Sequence, residues 1–287
     1  TQQSSGRSKP NLKLEGENHP NGAIINYYIK DKKETDTIAL EILDAKGSLI
    51  QAYNTTAKED KQNPSATKPL TVVTGGNRFI WDLRYPGFKS FEGMVLYSSP
   101  NIGPKAVPGT YKVRLTYNGI VSEKEFTIVK DPILPNTEAD FKSQFDFLIK
   151  VRDQVNRANQ AIIDIRSVKK DLDYLKEKVT TDEEFKKLLD EFEAKLNIVE
   201  NKIHMTKNQS RQDPLNYGIR INNRLAFLMS DSQRGDYPPT DQALAFFEDI
   251  KKELDVEINS LNILFETYFI KINSRILDKE IKMISPN

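Results

Sequence analysis

The sequence predicts a two-part chain of β-plus-α class, an antiparallel β-sandwich over residues 12–130 followed by an up-down antiparallel helical bundle over 137–287. Three observations predict it. Short runs rich in β-branched and aromatic residues, separated by turn formers, fill the first half. Near residue 136 the apolar period changes from two to about 3.6. Between them, Asp131-Pro132-Ile133-Leu134-Pro135-Asn136 carries two prolines that end the last strand and stiffen the passage, so 131–136 reads as a linker. At 287 residues the chain is long enough for two domains, each with its own core.

Residues 1–11 are mostly Ser, Gln, Lys and Gly without periodicity, the composition of a flexible linker. Since the chain opens at Thr1 without a methionine, it reads as a piece of a longer protein. Ala23–Ile29, Thr37–Leu43 and Ser48–Tyr53 read as strands. Ile38, Leu40 and Ile42 share one face, and Asp44-Ala45-Lys46-Gly47 supplies a hairpin turn. Asn54 to Pro69 has little to bury and reads as an exposed loop. Leu70–Thr74 begins a strand that Gly75-Gly76-Asn77 breaks, after which Phe79, Trp81 and Leu83 alternate with Arg78, Ile80, Asp82 and Arg84 and Tyr85-Pro86-Gly87 ends the run. A Gly- and Pro-punctuated excursion leads to Thr110–Tyr117 and Ile120–Val129, joined by Asn118-Gly119, a pair suited to a type I′ turn. Six or seven such strands over about 110 residues fit a small sandwich.

Thr137 is placed to cap the first helix, with Asp140 where a full capping box has Glu or Gln. From Phe141 to Leu175 apolar residues recur at spacings of three and four, which predicts one long helix. Thr180-Thr181-Asp182 restarts the pattern for a second helix ending near Met205. Pro214 starts a shorter third, with Ile219, Asn222, Leu225, Ala226 and Met229 on its stripe. Pro238-Pro239-Thr240-Asp241 leads into a fourth that runs through Phe246, Leu254, Leu261 and Ile272. Four amphipathic helices with short connections make an up-down bundle the simplest arrangement.

Composition removes several functions. Forty-two Lys and Arg against 41 Asp and Glu give a net charge of +1, and Lys169-Lys170 and Lys186-Lys187 are each offset by nearby acids, so nucleic acid is not an expected partner. With no cysteine, thiolate ligation and a cysteine nucleophile are excluded. His19 and His204 are the only histidines, and neither has a companion at ligand spacing. No apolar run reaches the roughly 20 residues of a membrane span. Glu183 with Glu184, and Glu191 with Glu193, lie among lysines on polar helix faces rather than facing each other across a cleft as glycosidase carboxylates do. Gly75-Gly76 precedes no helix and is not a phosphate loop. Trp81 beside Asp82 and Arg84 has the makings of a sugar platform, but alternation turns Trp81 into the core. The expectation is therefore no catalytic residue, no cofactor and no metal ligand.

Gly76-Asn77-Arg78-Phe79-Ile80-Trp81-Asp82-Leu83-Arg84-Tyr85-Pro86 and the stretch from Gly103-Pro104 to Pro108-Gly109-Thr110-Tyr111 resemble the C-terminal region of secreted bacterial proteins with sortilin-like, BNR-repeat β-propellers. The similarity continues through Lys130-Asp131-Pro132, Gln144 to Leu148, Ala161 to Arg166, Asn222 to Ala226 and Pro239 to Ala243. These proteins are often labelled glycosyl hydrolase. The resemblance implies an Ig-like sandwich plus helical tail, non-catalytic, downstream of a propeller. It implies export to the periplasm, outer-membrane surface or extracellular space of a member of the Bacteroidota, where Asp36-Thr37-Ile38 would fit the short O-glycosylation pattern. The expected function is a structural and interaction module that packs on the upstream propeller or on a cell-envelope protein. Two alternatives stay open. One is glycan binding by the sandwich through an aromatic surface of Tyr85, Phe88 and Tyr97. The other is an accessory role in a glycoside hydrolase whose catalytic residues lie in the propeller.

Overall fold

A computed structural model describes residues 19–179 and 181–278. The expected linker at 1–11, the first residues of the expected sandwich, Thr180 and the end of the expected bundle lie outside the described residues. Along them run β1 (Ala23–Ile29), β2 (Ile38–Asp44), β3 (Leu49–Asn54), β4 (Lys68–Pro69), β5 (Gly75–Trp81), β6 (Gly109–Tyr117) and β7 (Ile120–Ile128). Then follow α1 (Glu138–Lys178), α2 (Glu183–Ile203), α3 (Pro214–Tyr217), α4 (Ile221–Asp231) and α5 (Asp241–Asp278). The described residues fall into two units: those up to Lys32 with Val73–Leu83, and Lys33–Val72 with those from Arg84 onward.

The first unit is built on β1 and β5, paired antiparallel from Ala23 opposite Trp81 to Ile29 opposite Gly75. Period-two alternation decides which side chains are covered. Trp81 is 1% exposed and Ile29 is buried, whereas Asn26, Tyr28, Gly76, Arg78 and Ile80, on the opposite face, are exposed. Three expectations are corrected here. Leu70–Thr74 is not a strand, because the Asn77 side chain accepts from the Val73 N–H at 2.9 Å and donates to its carbonyl at 2.8 Å, taking the groups a ladder would use. Gly75-Gly76 opens β5 rather than breaking it. Leu83 lies beyond the strand at φ 60°, so it does not continue the Phe79–Trp81 alternation.

In the second unit five strands lie in the order β4-β3-β2-β6-β7, all antiparallel neighbours except the two-residue parallel pair β3–β4. Ile38, Leu40 and Ile42 of the central β2 are at most 1% exposed. The β2–β3 turn is held by Asp44, whose Oδ1 accepts from the N–H groups of Lys46 and Ser48. Asn118 and Gly119 join β6 to β7 with φ of 48° and 80°, the double positive φ of a type I′ turn.

The helices belong to the same unit. Thr137 and Asp140 cap α1 reciprocally, since the Thr137 side chain accepts from the Asp140 N–H and the Asp140 carboxylate accepts from the Thr137 N–H. The shorter aspartate thus completes the box that the sequence leaves without its usual Glu or Gln. Asp182 caps α2 through the N–H of Phe185, and the Thr240 hydroxyl accepts from Ala243 at the start of α5. The expected third helix is split: Gly218 at φ 75° stops α3 after four residues, and α4 restarts at Ile221. α1 packs on α2 and α4, and α5 on α2, α4 and α1. Their shared core runs from Val151, Val155 and Ile162 of α1 through Phe185, Leu189 and Phe192 to Leu254 and Tyr268 of α5.

Candidate functional site

The segment from Arg84 to Pro108, between the two sheets in sequence, is a strap laid on the helices. Its two limbs are fastened to each other first. Tyr85 N–H donates to the Pro104 carbonyl at 2.9 Å, Arg84 and Lys105 form an isolated antiparallel bridge, and Asn101 bonds both the N–H and the carbonyl of Phe88. Gly103 permits the closure, because a Cβ there would lie 1.8 Å from the Tyr85 carbonyl oxygen.

Side-chain amides on the helices then grip the backbone of the strap. Asn156 of α1 accepts from the Lys89 N–H at 2.6 Å, and Asn159 donates to the Lys89 carbonyl at 2.6 Å. Asn223 of α4 accepts from the Tyr97 N–H at 2.7 Å and donates to its carbonyl at 3.0 Å. At the neck, Gln233 accepts from Arg84 and donates to the Ile102 carbonyl. An amide carries one acceptor and two donors side by side, so it can pair with an extended backbone as a neighbouring strand would, whatever the side chains.

Beneath the strap lies a buried polar cluster. Asn222, 0% exposed, donates to Asn159 Oδ1 at 3.1 Å and sits 3.2 Å from His204 Nδ1. His204 closes the end of α2, is 2% exposed, and meets Phe91 of the strap edge to face at 4.9 Å. Burial, and then the Arg166 charge, push its imidazole down to about 4. Arg166 lies over the Phe91 ring, donates to the Glu92 carbonyl at 2.8 Å and pairs with Glu200 at 2.9 Å; Lys169 bonds the other Glu200 oxygen at 2.6 Å. Desolvation opposes ionisation of Glu200, but the bonds from Lys169 and Arg166 outweigh it and hold the carboxyl below the usual range.

The residues expected to form an aromatic surface are not brought together as one. Phe88 is 1% exposed and belongs to the helical core, which removes it from any surface. Tyr85 is half-buried with its ring 4.7 Å from Phe145, and burial raises its hydroxyl above the ordinary range. Tyr97 is exposed, but its backbone is the part that is held. The α2 acids are ion-paired: Glu183 with Lys186, Glu184 with Arg275, Glu191 with Lys195 and Glu193 with Lys176. His19 is exposed, with Nδ1 2.9 Å from the Pro20 carbonyl. Among the described residues, no group of three or more His, Asp or Glu is placed to hold a metal ion. A cleft of about 480 Å³ between α2, α4 and α5 is lined by Lys202, Arg224, Glu253 and Glu257, which pair with one another.

The gripping residues Asn156, Asn159, Asn223 and Gln233 do not emerge from sequence reasoning. A trace exists for one of them and for Asn222 beneath the strap: Asn159 and Asn222 fall at or beside positions where the helical period asks for an apolar residue, and a buried amide there needs partners. The strap partners of the gripping residues lie 67 to 149 positions away, so their identity is invisible to local pattern. No protein-family model, curated protein or solved structure matches this chain.

Proposed function

We propose that the chain is a non-catalytic structural and interaction module from the C-terminal end of an exported β-propeller protein, with an Ig-like sandwich and a four-helix bundle, packing on the propeller or on cell-envelope partners. One observation carries this reading: the amides of Asn156, half-buried, and of Asn159 and Asn223, buried, spend their hydrogen bonds on fixing a long connection in place. Such an arrangement suits a rigid adaptor. A reacting centre would instead aim its polar groups at an open space where a substrate sits. The sequence resemblance supplies the parent architecture and the compartment.

The test is calorimetric titration of this chain against the separately expressed region that precedes it in the parent protein, with polysaccharide hydrolysis assayed alongside. Binding without turnover by this chain is expected. Hydrolysis by this chain alone, or indifference to the preceding region and to envelope extracts, would sink the proposal.

A second reading, glycan binding by the β-rich part, is favoured by a different face from the one expected. Tyr28 is 70% exposed opposite Gly76, which leaves its ring open, and Arg78 Nε donates to Asn26 Oδ1 at 3.3 Å beside it. A flat ring flanked by planar polar groups is how proteins commonly meet a sugar. Glycan-array binding that disappears in Tyr28→Ala would support it, and silence across bacterial and host polysaccharides would remove it.

A further inference from the structure

Three buried side chains under the strap, Asn159, Asn222 and His204, form a line of hydrogen bonds whose direction is fixed at one end. The Lys89 carbonyl of the strap can only accept, so the Asn159 amide must turn its Nδ2 toward it, 2.6 Å away. That leaves Asn159 Oδ1 facing α4, where Asn222 Nδ2 donates to it at 3.1 Å. The same Asn222 nitrogen lies 3.2 Å from His204 Nδ1, which takes its second N–H. An N–H needs an acceptor. While the strap is held in this way, His204 Nδ1 therefore carries no proton, and the neutral ring keeps its proton on Nε2. In so buried a place a mismatched partner is not replaced by water.

A proton on Nδ1 sets donor against donor at Asn222. Turning the Asn222 amide over presents Oδ1 to His204 and forfeits no bond on its other side, because that oxygen has no partner among the described residues. Asn159 must then turn over as well, which brings its Oδ1 against the Lys89 carbonyl, oxygen facing oxygen. Its contact with Met94 Sδ, 3.5 Å from Nδ2, goes in the same step. We infer that His204, Asn222 and Asn159 are a proton-operated latch: neutral His204 holds the Lys89–Met94 stretch of the strap on the helices, and protonated His204 releases it. The charges felt at the ring are Arg166 of α1, which opposes the proton, and Glu200 of α2, which favours it but is already shared by Arg166 and Lys169. The strap and α4 set Phe91 and Asn222 against the ring, neither of which titrates, and the Glu92 side chain is exposed. A second hold on the same stretch is the Arg166 bond to the Glu92 carbonyl, and Arg166 is the group that a charged His204 repels. Asn156 and Asn223 do not titrate and keep the Lys89 N–H and Tyr97 in place, so what moves lies between them.

The latch does not depend on what the chain binds and is tested on the chain as it is. With His19 and His204 the only histidines, imidazole nitrogen NMR resolves both rings. At neutral pH His204 should be the Nε2–H tautomer, and an Nδ1–H tautomer would overturn the latch without any substitution. Amide exchange reads the motion. Corrected for intrinsic exchange, opening of Lys89–Met94 should grow about tenfold per pH unit as pH falls from about 6.5, and level off near pH 4. In urea below the unfolding transition these amides should open without those of α1 and α5, as a local event does. His204→Asn places an oxygen where Nδ1 stands and takes up no proton, so strap protection should stay constant across that range. Strap amides that exchange only together with the helices at every pH overturn the proposal, as does a pH dependence that survives undiminished in His204→Asn.

Discussion

Asn223 holds the backbone of Tyr97 from both sides, accepting its N–H at 2.7 Å and donating to its carbonyl at 3.0 Å, although the two residues stand 126 positions apart. With Asn223 itself 3% exposed, neither bond is replaced easily by water. Asn223→Ala leaves the backbone groups of Tyr97 without their partners at a cost of about 1–3 kcal/mol each, so a loss of about 2–4 kcal/mol is expected. Urea denaturation measures it, and amide exchange should accelerate around Tyr97 well before the helices open. Unchanged exchange there would show that the amide is not what holds the strap.

Trp81 is the only tryptophan and is 1% exposed. Trp81→Ala should cost about 3–5 kcal/mol through the cavity it leaves. Tryptophan fluorescence in the parent protein should be blue-shifted and poorly quenched by iodide. A variant as stable as the parent would overturn the burial of this side chain.

His204 gives the fold a defined response to acid. Its imidazole stays neutral in the folded state down to about pH 4, while the unfolded chain takes up that proton near the ordinary value of 6.5. The unfolded state therefore binds more protons between these limits, and stability should fall as pH drops from about 6.5 to 4, by about 3 kcal/mol. Below pH 4 both states carry the proton and this group adds no further loss. His204→Gln should flatten the slope over that window. An imidazole resonance titrating near 6.5 in the folded protein would refute the account.

Glu200 acts in the same direction, at lower pH. Its carboxyl is held below the ordinary range, so its contribution is present above the unfolded value and is lost as pH falls through the folded one. Glu200→Gln keeps the shape but removes the charge that Arg166 and Lys169 share. A loss of about 2–4 kcal/mol is expected, since one partner of a largely buried pair is taken away. Thermal denaturation at pH 7 is the measurement, and a change within ±0.5 kcal/mol would place the pair with surface ion pairs instead.

What the sequence determined was everything that local chemistry controls. The alternation of Ile38, Leu40 and Ile42, the Asn118-Gly119 turn, the apolar period of α1 and α5 and the burial of Trp81 are all carried by residues within a few positions of one another. Where a short-range competitor acts, pattern misleads: the Asn77 side chain takes the hydrogen bonds of Val73, and Gly218 stops a helix whose apolar spacing runs on.

Only the tertiary structure decided what covers what. Phe88 looked like part of a surface and became core, because the strap folds back over α1. Asn156, Asn159 and Asn223 acquire their role from backbone groups distant in sequence. Hydrophobic period depends on neighbours along one element and is therefore written in the sequence. Satisfaction of buried polar groups depends on which elements meet, and that is settled by packing the whole chain.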